Sequence, residues 1–121
     1  MSIRALIADD SGIMRKIIVH TAIAAGVDEI AEAVDGADAI AQFQKGQFDL
    51  VLTDWNMPNK SGLEVIQEMR ASGSEVPIIM VTTEGEKSSV LQAIQAGVSD
   101  YMIKPFDADT LRAKIDKLAF V

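Results

Sequence analysis

Five side chains stand where an apolar run gives way to polar sequence: Asp9 and Asp10 after the first run, Asp54 after the third, Thr82 after the fourth and Lys104 after the fifth. Three carboxylates gathered at one place would each raise the others' pKa, a costly arrangement unless a cation sits among them. With oxygen ligands and neither His nor Cys beside them, the natural occupant is a hard divalent ion, Mg2+, which accepts carboxylates, keeps waters and brings phosphate oxygens with it. The Lys104 ammonium adds a point charge that can reach a phosphoryl oxygen, and the Thr82 hydroxyl can donate to another. One carboxylate is then left as nucleophile. An Asp attacking phosphorus forms an acyl phosphate, whose developing charge a metal and a lysine stabilise. Taken singly, an acidic doublet before a helix is an ordinary N-cap, and a Lys before Pro is an ordinary turn residue. The weight lies in their convergence on one sheet edge.

That convergence depends on the elements that carry these residues. Ile3 to Ala8 reads as a strand, followed by a helix whose apolar residues are Ile13, Ile17, Ile18 and Thr21 and which Gly26 ends. Ile30, Ala31, Ala33 and Val34 suggest a second strand, and Asp35 a cap for a helix with Ala37, Ile40 and Phe43 inward. Phe48, Leu50, Val51 and Leu52 show little alternation, as in a parallel strand covered on both faces. Ser61-Gly62-Leu63-Glu64 reads as a capping box opening the third helix, which carries Ile66 and Met69. Pro77 to Val81 is a fourth strand, and Val90, Leu91 and Ile94 line the next helix, which Gly97 ends. Tyr101 to Ile103 makes a short fifth strand, and Asp107 caps a last helix with Leu111, Ile115 and Leu118 inward.

Five strands alternating with five helices imply a parallel sheet with right-handed crossovers, an α/β fold built as a three-layer α/β/α sandwich. The strand order 2-1-3-4-5 is taken over from flavodoxin-like sheets; it makes strands one and three neighbours at the switch point and so gathers the three carboxylates. Each crossover is near the minimum βαβ length, so residues 1–121 are expected to form a single domain.

Composition narrows the function. Eleven basic against eighteen acidic residues give a net charge of −7, which repels nucleic acid and anionic membrane. The absence of cysteine excludes disulfides and thiol chemistry and fits the cytoplasm. No apolar run reaches membrane-span length, so no membrane insertion is expected. His20, the sole histidine, reads as a helix-surface residue, and the six methionines as scattered core fillers.

On Asp9-Asp10, the run Asp54-Trp55-Asn56-Met57-Pro58-Asn59 with Gly62 beyond, Val81-Thr82, Tyr101 and Lys104-Pro105-Phe106, the whole chain resembles the receiver (response regulatory) domains of two-component response regulators. Trp55-Asn56, Glu84 and Gln95-Ala96-Gly97 are similar to the stand-alone chemotaxis, CheY-like, branch. The resemblance implies a signalling switch rather than an enzyme acting on other substrates, with self-catalysed phosphorylation and autodephosphorylation. Asp54 would accept a phosphoryl group from a CheA-like histidine kinase. Mg2+ would be held by Asp10, Asp54 and the backbone carbonyl of Asn56, with Asp9 assisting through the metal's waters. Lys104 would bind the phosphoryl group, Thr82 and Tyr101 would form the switch pair, and Asn56 and Glu84 would tune dephosphorylation. The Lys104-Pro105 peptide would be cis. The output surface would comprise Lys87, Val90, Tyr101 and the last helix, on a monomer read by the flagellar motor switch or by a phosphorelay partner. Ser11 stands where motor regulators commonly carry Phe, so a phosphorelay intermediate or phosphate sink stays open beside motor control. Two rivals come from other classes. A metal-dependent phosphohydrolase needs a cap that no insertion here can form. A flavodoxin-like cofactor carrier needs a first loop that welcomes phosphate, where Asp9 and Asp10 would repel it.

Overall fold

The apolar runs do become strands, and their register decides what meets at their ends. A computed structural model describes residues 2–83 and 87–118, apart from the Lys87 side chain. The expectations placed on Glu84 and on the Lys87 side chain lie outside the described residues. In chain order the elements are β1 (Arg4–Ala8), α1 (Gly12–Ala24), β2 (Glu29–Ala33), α2 (Gly36–Lys45), β3 (Leu50–Asp54), α3 (Gly62–Ala71), β4 (Ile78–Thr82), α4 (Lys87–Ala96), β5 (Asp100–Ile103) and α5 (Ala108–Lys117). All strand pairs are parallel, in the order β2-β1-β3-β4-β5.

Alternating strand residues feed two separate cores, because successive side chains point to opposite faces of a sheet. On one face Ala5, Ile7, Leu50, Leu52, Ile79 and Val81 pack against Ile18 and Ala22 of α1 and Leu111 and Ile115 of α5. On the other, Leu6, Val51, Ile78 and Met80 pack against Ile40 of α2, Val65, Ile66 and Met69 of α3, and Ala93 of α4. The three-layer sandwich follows, and the central strands are buried on both faces.

Helix starts fall where local chemistry puts them. Asp35, Ser61 and Asp107 each accept a hydrogen bond from the backbone N–H three residues on, and Ser61 with Glu64 completes the capping box. The Lys104-Pro105 peptide is cis.

Helix faces needed correction. Of the apolar residues singled out on α1, Ile18 is buried, joined by Ala22, while Ile13 and Ile17 point outward and Met14 and Val19 are partly covered. Ala37 is exposed while Ala39 is buried, and Val34 lies exposed beyond the end of β2. On α4 the inward residue is Ala93, fully buried, with Val90 and Ala96 partly so; Leu91 and Ile94 face solvent. The physical reason is close packing: a small inward residue lets α4 sit near the sheet, and turning Leu91 and Ile94 inward would hold it off. Phe48 precedes β3 rather than opening it, and stacks on Phe43 with ring centroids 6.4 Å apart.

The corrected face of α4 carries a stability prediction. Leu91→Ser and Ile94→Ser should leave the free energy of urea unfolding within about 0.5 kcal/mol of wild type. Ala93→Leu, which overfills the contact with the sheet, should cost about 1 to 3 kcal/mol. The reverse order in urea denaturation would restore the sequence-based face.

Candidate functional site

Register places the chemistry. Ala8 pairs with Thr53, so one step further along the parallel strands Asp9 lies opposite Asp54. Asp54 in turn pairs with Val81, and Thr82 with Ile103, which puts Thr82 and Lys104 at the same edge. The Lys104 N–H donates to the Thr82 carbonyl at 2.7 Å, extending the ladder by one bond beyond β5. The sequence suggested that Asp54 and Thr82 follow their strands; they are instead the last residues within them, so each is held by the sheet itself.

The side chains converge as expected. Lys104 Nζ lies 3.2 Å from Asp9 Oδ2 and 3.3 Å from Asp54 Oδ1. Asp9 is buried at 1% exposure, a position a carboxylate tolerates only when its oxygens are occupied. Here Oδ2 takes Lys104, and Oδ1 accepts from the Ser11 backbone N–H at 2.9 Å. Asp54 is partly buried, and its Oδ1 also accepts from the Trp55 N–H at 2.8 Å. Among the described residues its other oxygen takes no hydrogen bond. Asp10 is exposed at the rim. Thr82 is buried, with its hydroxyl 3.4 Å from the Thr83 carbonyl.

Two glycines permit this closeness. A Cβ on Gly62 would collide with the Asp54 carbonyl and the Trp55 Cα, so the start of α3 can fold back over the end of β3 only without a side chain. A Cβ on Gly36 would collide with the Lys60 carbonyl, where the loop after Asp54 crosses the start of α2. Asn59, at φ 69°, donates from Nδ2 to Asp35 Oδ2 at 2.6 Å and ties the same two loops together.

One carboxylate oxygen each from Asp9, Asp10 and Asp54 lies within 4.8 Å of the other two. Three hard oxygen donors at that separation, unevenly offset by one lysine, fit a divalent cation that prefers oxygen. Burial pushes the Asp54 carboxyl above its ordinary pKa, Lys104 pulls it back, and the Asp9 charge raises it again. The net rise says that ionised Asp54 is held at a cost the protein alone does not fully offset.

The remaining sequence-predicted residues lie around this centre. Asn56 is exposed just beyond Asp54. Tyr101, 37% exposed on the edge strand, is too far along β5 to join the acids; its ring lies under the Lys114 ammonium, 5.9 Å from Nζ to centroid. Val90 is partly buried on the sheet-facing side of α4, and His20 is exposed on α1, away from the strand ends. Sequence reasoning missed Gly36, Arg15 and Glu32. Asp35-Gly36 reads as no more than a cap and turn, and nothing local signals that Arg15 and Glu32 will meet.

Comparison with known proteins agrees with this geometry. Residues 5–116 match the response regulator receiver domain. The chain belongs to that family. It is 39% identical to chemotaxis protein CheY-3 of Vibrio cholerae serotype O1 over 97% of this chain and 92% of that protein. To chemotaxis protein CheY of Pseudomonas aeruginosa it is 40% identical, over 93% of each. Among solved structures, the chemotaxis response regulator CheY4 of Vibrio cholerae superposes with a TM-score of 0.87 at 31% identity, covering 98% of this chain and all of that one. The receiver-family match and the observed strand order together bear out the expected fold and family.

A pH-dependent prediction follows from the raised Asp54 pKa. A carboxyl whose folded pKa exceeds its unfolded value binds its proton more tightly when folded, so its effect on stability is least unfavourable below the unfolded pKa. Stability is lost as pH rises through the folded pKa. Without divalent cations, Asp54→Asn should therefore raise the urea midpoint at neutral pH, and the gain should shrink toward pH 4. A variant less stable than wild type at neutral pH would contradict the crowding of charge at this site.

Proposed function

We propose that this receiver domain is a phosphorylation-activated switch of a two-component system, with Asp54 as the acceptor. The single observation that carries the reading is Lys104 bridging Asp9 and Asp54 at the carboxyl edge of the sheet, with Asp10 completing the acidic cluster. A histidine kinase of the CheA-like kind supplies the phosphoryl group as a phosphohistidine. The Asp54 oxygen that takes no donor among the described residues attacks phosphorus; the P–N bond breaks, its electron pair stays on the imidazole nitrogen, and an acyl phosphate forms. Asp10, Asp54 and the Asn56 backbone carbonyl would hold Mg2+, with Asp9 assisting through the metal's waters, and the ion when bound would offset the charge of the phosphoryl oxygens. Lys104 exchanges part of its contact with the carboxylates for a phosphoryl oxygen, and the Thr82 hydroxyl donates to another. The chain catalyses its own modification and its own reversal, the latter by an in-line water, at a rate that Asn56 and Glu84 tune.

Output runs through Thr82 and Tyr101 to the surface formed by α4 around Lys87 and Val90, β5 and α5. Phosphorylation favours one of two pre-existing arrangements, and a difference of about 1 to 3 kcal/mol changes a partner's affinity by one to two orders of magnitude. Two named chemotaxis proteins match at 39% and 40% identity over more than nine-tenths of their length, which supports chemotaxis and a flagellar motor switch as the reader. On this reading the protein is a monomeric, single receiver domain over residues 1–121 that works in the cytoplasm. Among the described residues no helix is long and apolar enough to cross a membrane.

Two experiments test the proposal. With acetyl phosphate and Mg2+, wild type should take up acid-labile label, Asp54→Asn none, and Lys104→Ala at a rate lower by at least about tenfold, as for loss of a group that stabilises developing charge. Stable labelling of Asp54→Asn would remove Asp54 from the role. For the output, amide shifts should move at Tyr101 and across residues 87–94 when the protein binds beryllofluoride. Shifts confined to the loop after Asp54 would mean that the output surface lies elsewhere.

A further inference from the structure

Arg15, in the first turns of α1, faces two ways. Its Nε donates to Glu32 Oε1 at 2.9 Å, and its Nη1 donates to the backbone carbonyl of Asp9 at 2.8 Å. Both side chains are well covered, at 15% exposure for Arg15 and 29% for Glu32. Glu32 is itself fixed on several sides: Lys16 Nζ lies 2.8 Å from Oε2, and Gln42 of α2 donates to the Glu32 backbone carbonyl at 2.7 Å. A guanidinium fork held this firmly restricts the group it donates to, which here is the peptide that joins Asp9 to Asp10.

That peptide matters because of how differently the two acids are held. The Asp9 carboxylate is anchored by Ser11 and Lys104. The Asp10 carboxylate is exposed and has no hydrogen bond or ion pair among the described residues. Within that set, its direction is set by the main chain alone. The main chain just before it is pinned by the Asp9 N–H donating to the Ala33 carbonyl at 3.2 Å and by the Asp9 carbonyl accepting from Arg15.

We propose that Arg15, braced by Glu32, is a positioning residue for the acidic cluster: it fixes the Asp9-Asp10 peptide and so aims the Asp10 carboxylate at the cation. The inference rests on the cation reading given under the proposed function. Its sign separates it from simple electrostatics. A guanidinium beside a cation site repels the cation, so by charge alone removing Arg15 should tighten binding. Positioning demands the opposite, because a loosened peptide lets Asp10 swing away from the cluster. Groups that orient metal ligands contribute about 10- to 100-fold to affinity, and an exposed ligand with one such support belongs near the lower end.

Trp55 reports on the site, since its backbone N–H donates to Asp54 Oδ1. Titrating Mg2+ against indole emission, Arg15→Gln should bind about tenfold more weakly than wild type despite the lost positive charge. Arg15→Lys should be weakened similarly, because one ammonium does not span both acceptors. Lys16→Gln removes the same charge from the exposed side of Glu32 and should bind as tightly as wild type or slightly more so. Arg15→Gln binding as tightly as wild type, or Lys16→Gln weakened as much as Arg15→Gln, overturns the proposal. Circular dichroism and the urea midpoint check that the variants fold. Should Arg15→Gln fail to fold, Glu32→Ala decides: it frees the guanidinium and should weaken Mg2+ binding at least about threefold, and unchanged affinity overturns the proposal. If wild type itself shows neither an emission change nor a rise in urea midpoint with Mg2+, the cation reading falls and this inference with it. A normal wild-type response with an unaltered Arg15→Gln removes only the inference.

Discussion

Lys104 stands 95 residues from Asp9 in the chain, yet its ammonium touches both Asp9 and Asp54 at the end of the sheet. Parallel register forces the acids together: β1 and β3 end side by side, and neither strand can slip by one residue without turning its buried side chains to the opposite face. The acids are crowded because the core is in register, and the lysine makes the crowding tolerable. Removing water from a carboxylate as buried as Asp9 costs several kcal/mol unless a partner is supplied, and the partner arrives only with the fifth strand. The site is therefore complete only when the last βα unit has docked, which links integrity of the fold to competence of the site.

The balance is incomplete by construction. One ammonium faces three carboxylates, and burial first, then the Asp9 charge, keep the Asp54 pKa raised despite Lys104. A folded protein carries such uncompensated charge where a ligand will supply the missing compensation. The two glycines without room for a Cβ, Gly36 and Gly62, have the same logic in steric form. They bring backbone close enough to hold the loop after Asp54 against its neighbours, at the conformational cost that glycine brings.

Much of this was legible in the sequence because the signals are local. An apolar run ending on Asp, a cap such as Asp35 or Asp107, and the Ser61–Glu64 box each depend on residues within one turn, and each appears where expected. The faces of α1 and α4 were not legible, since hydrophobicity alone ranks Ile13, Ile17, Leu91 and Ile94 above the alanines that are buried. Which stripe turns inward is decided by how closely the helix must approach the sheet, a tertiary property. The strand order was out of reach of local signals too, because many orders satisfy alternating strands and helices, and only likeness to flavodoxin-like sheets singled one out. Arg15 with Glu32, and Asn59 with Asp35, join segments 17 and 24 residues apart, and nothing in either segment announces the other.

Lys104 also sits at the junction between the site and the opposite edge of the molecule. Its backbone continues β5, where the Tyr101 N–H donates to the Asp100 carboxylate at 2.8 Å, and Lys114 of α5 lies 3.2 Å from both Asp100 oxygens while covering the Tyr101 ring. Lys114 thus divides its charge between a carboxylate, which it keeps, and an aromatic face, which it can lose. A cation–π contact at a partly exposed ring is worth about 0.5 to 1 kcal/mol, well within what a phosphoryl group interacting with Lys104 and Thr82 can offset. The exposed Leu91, Ile94 and Ile103 lie on the neighbouring α4 and β5. A small displacement of one ring would therefore change an apolar surface already open to solvent, and under the proposed reading this makes that surface a sensitive place for a partner to detect the state of Asp54.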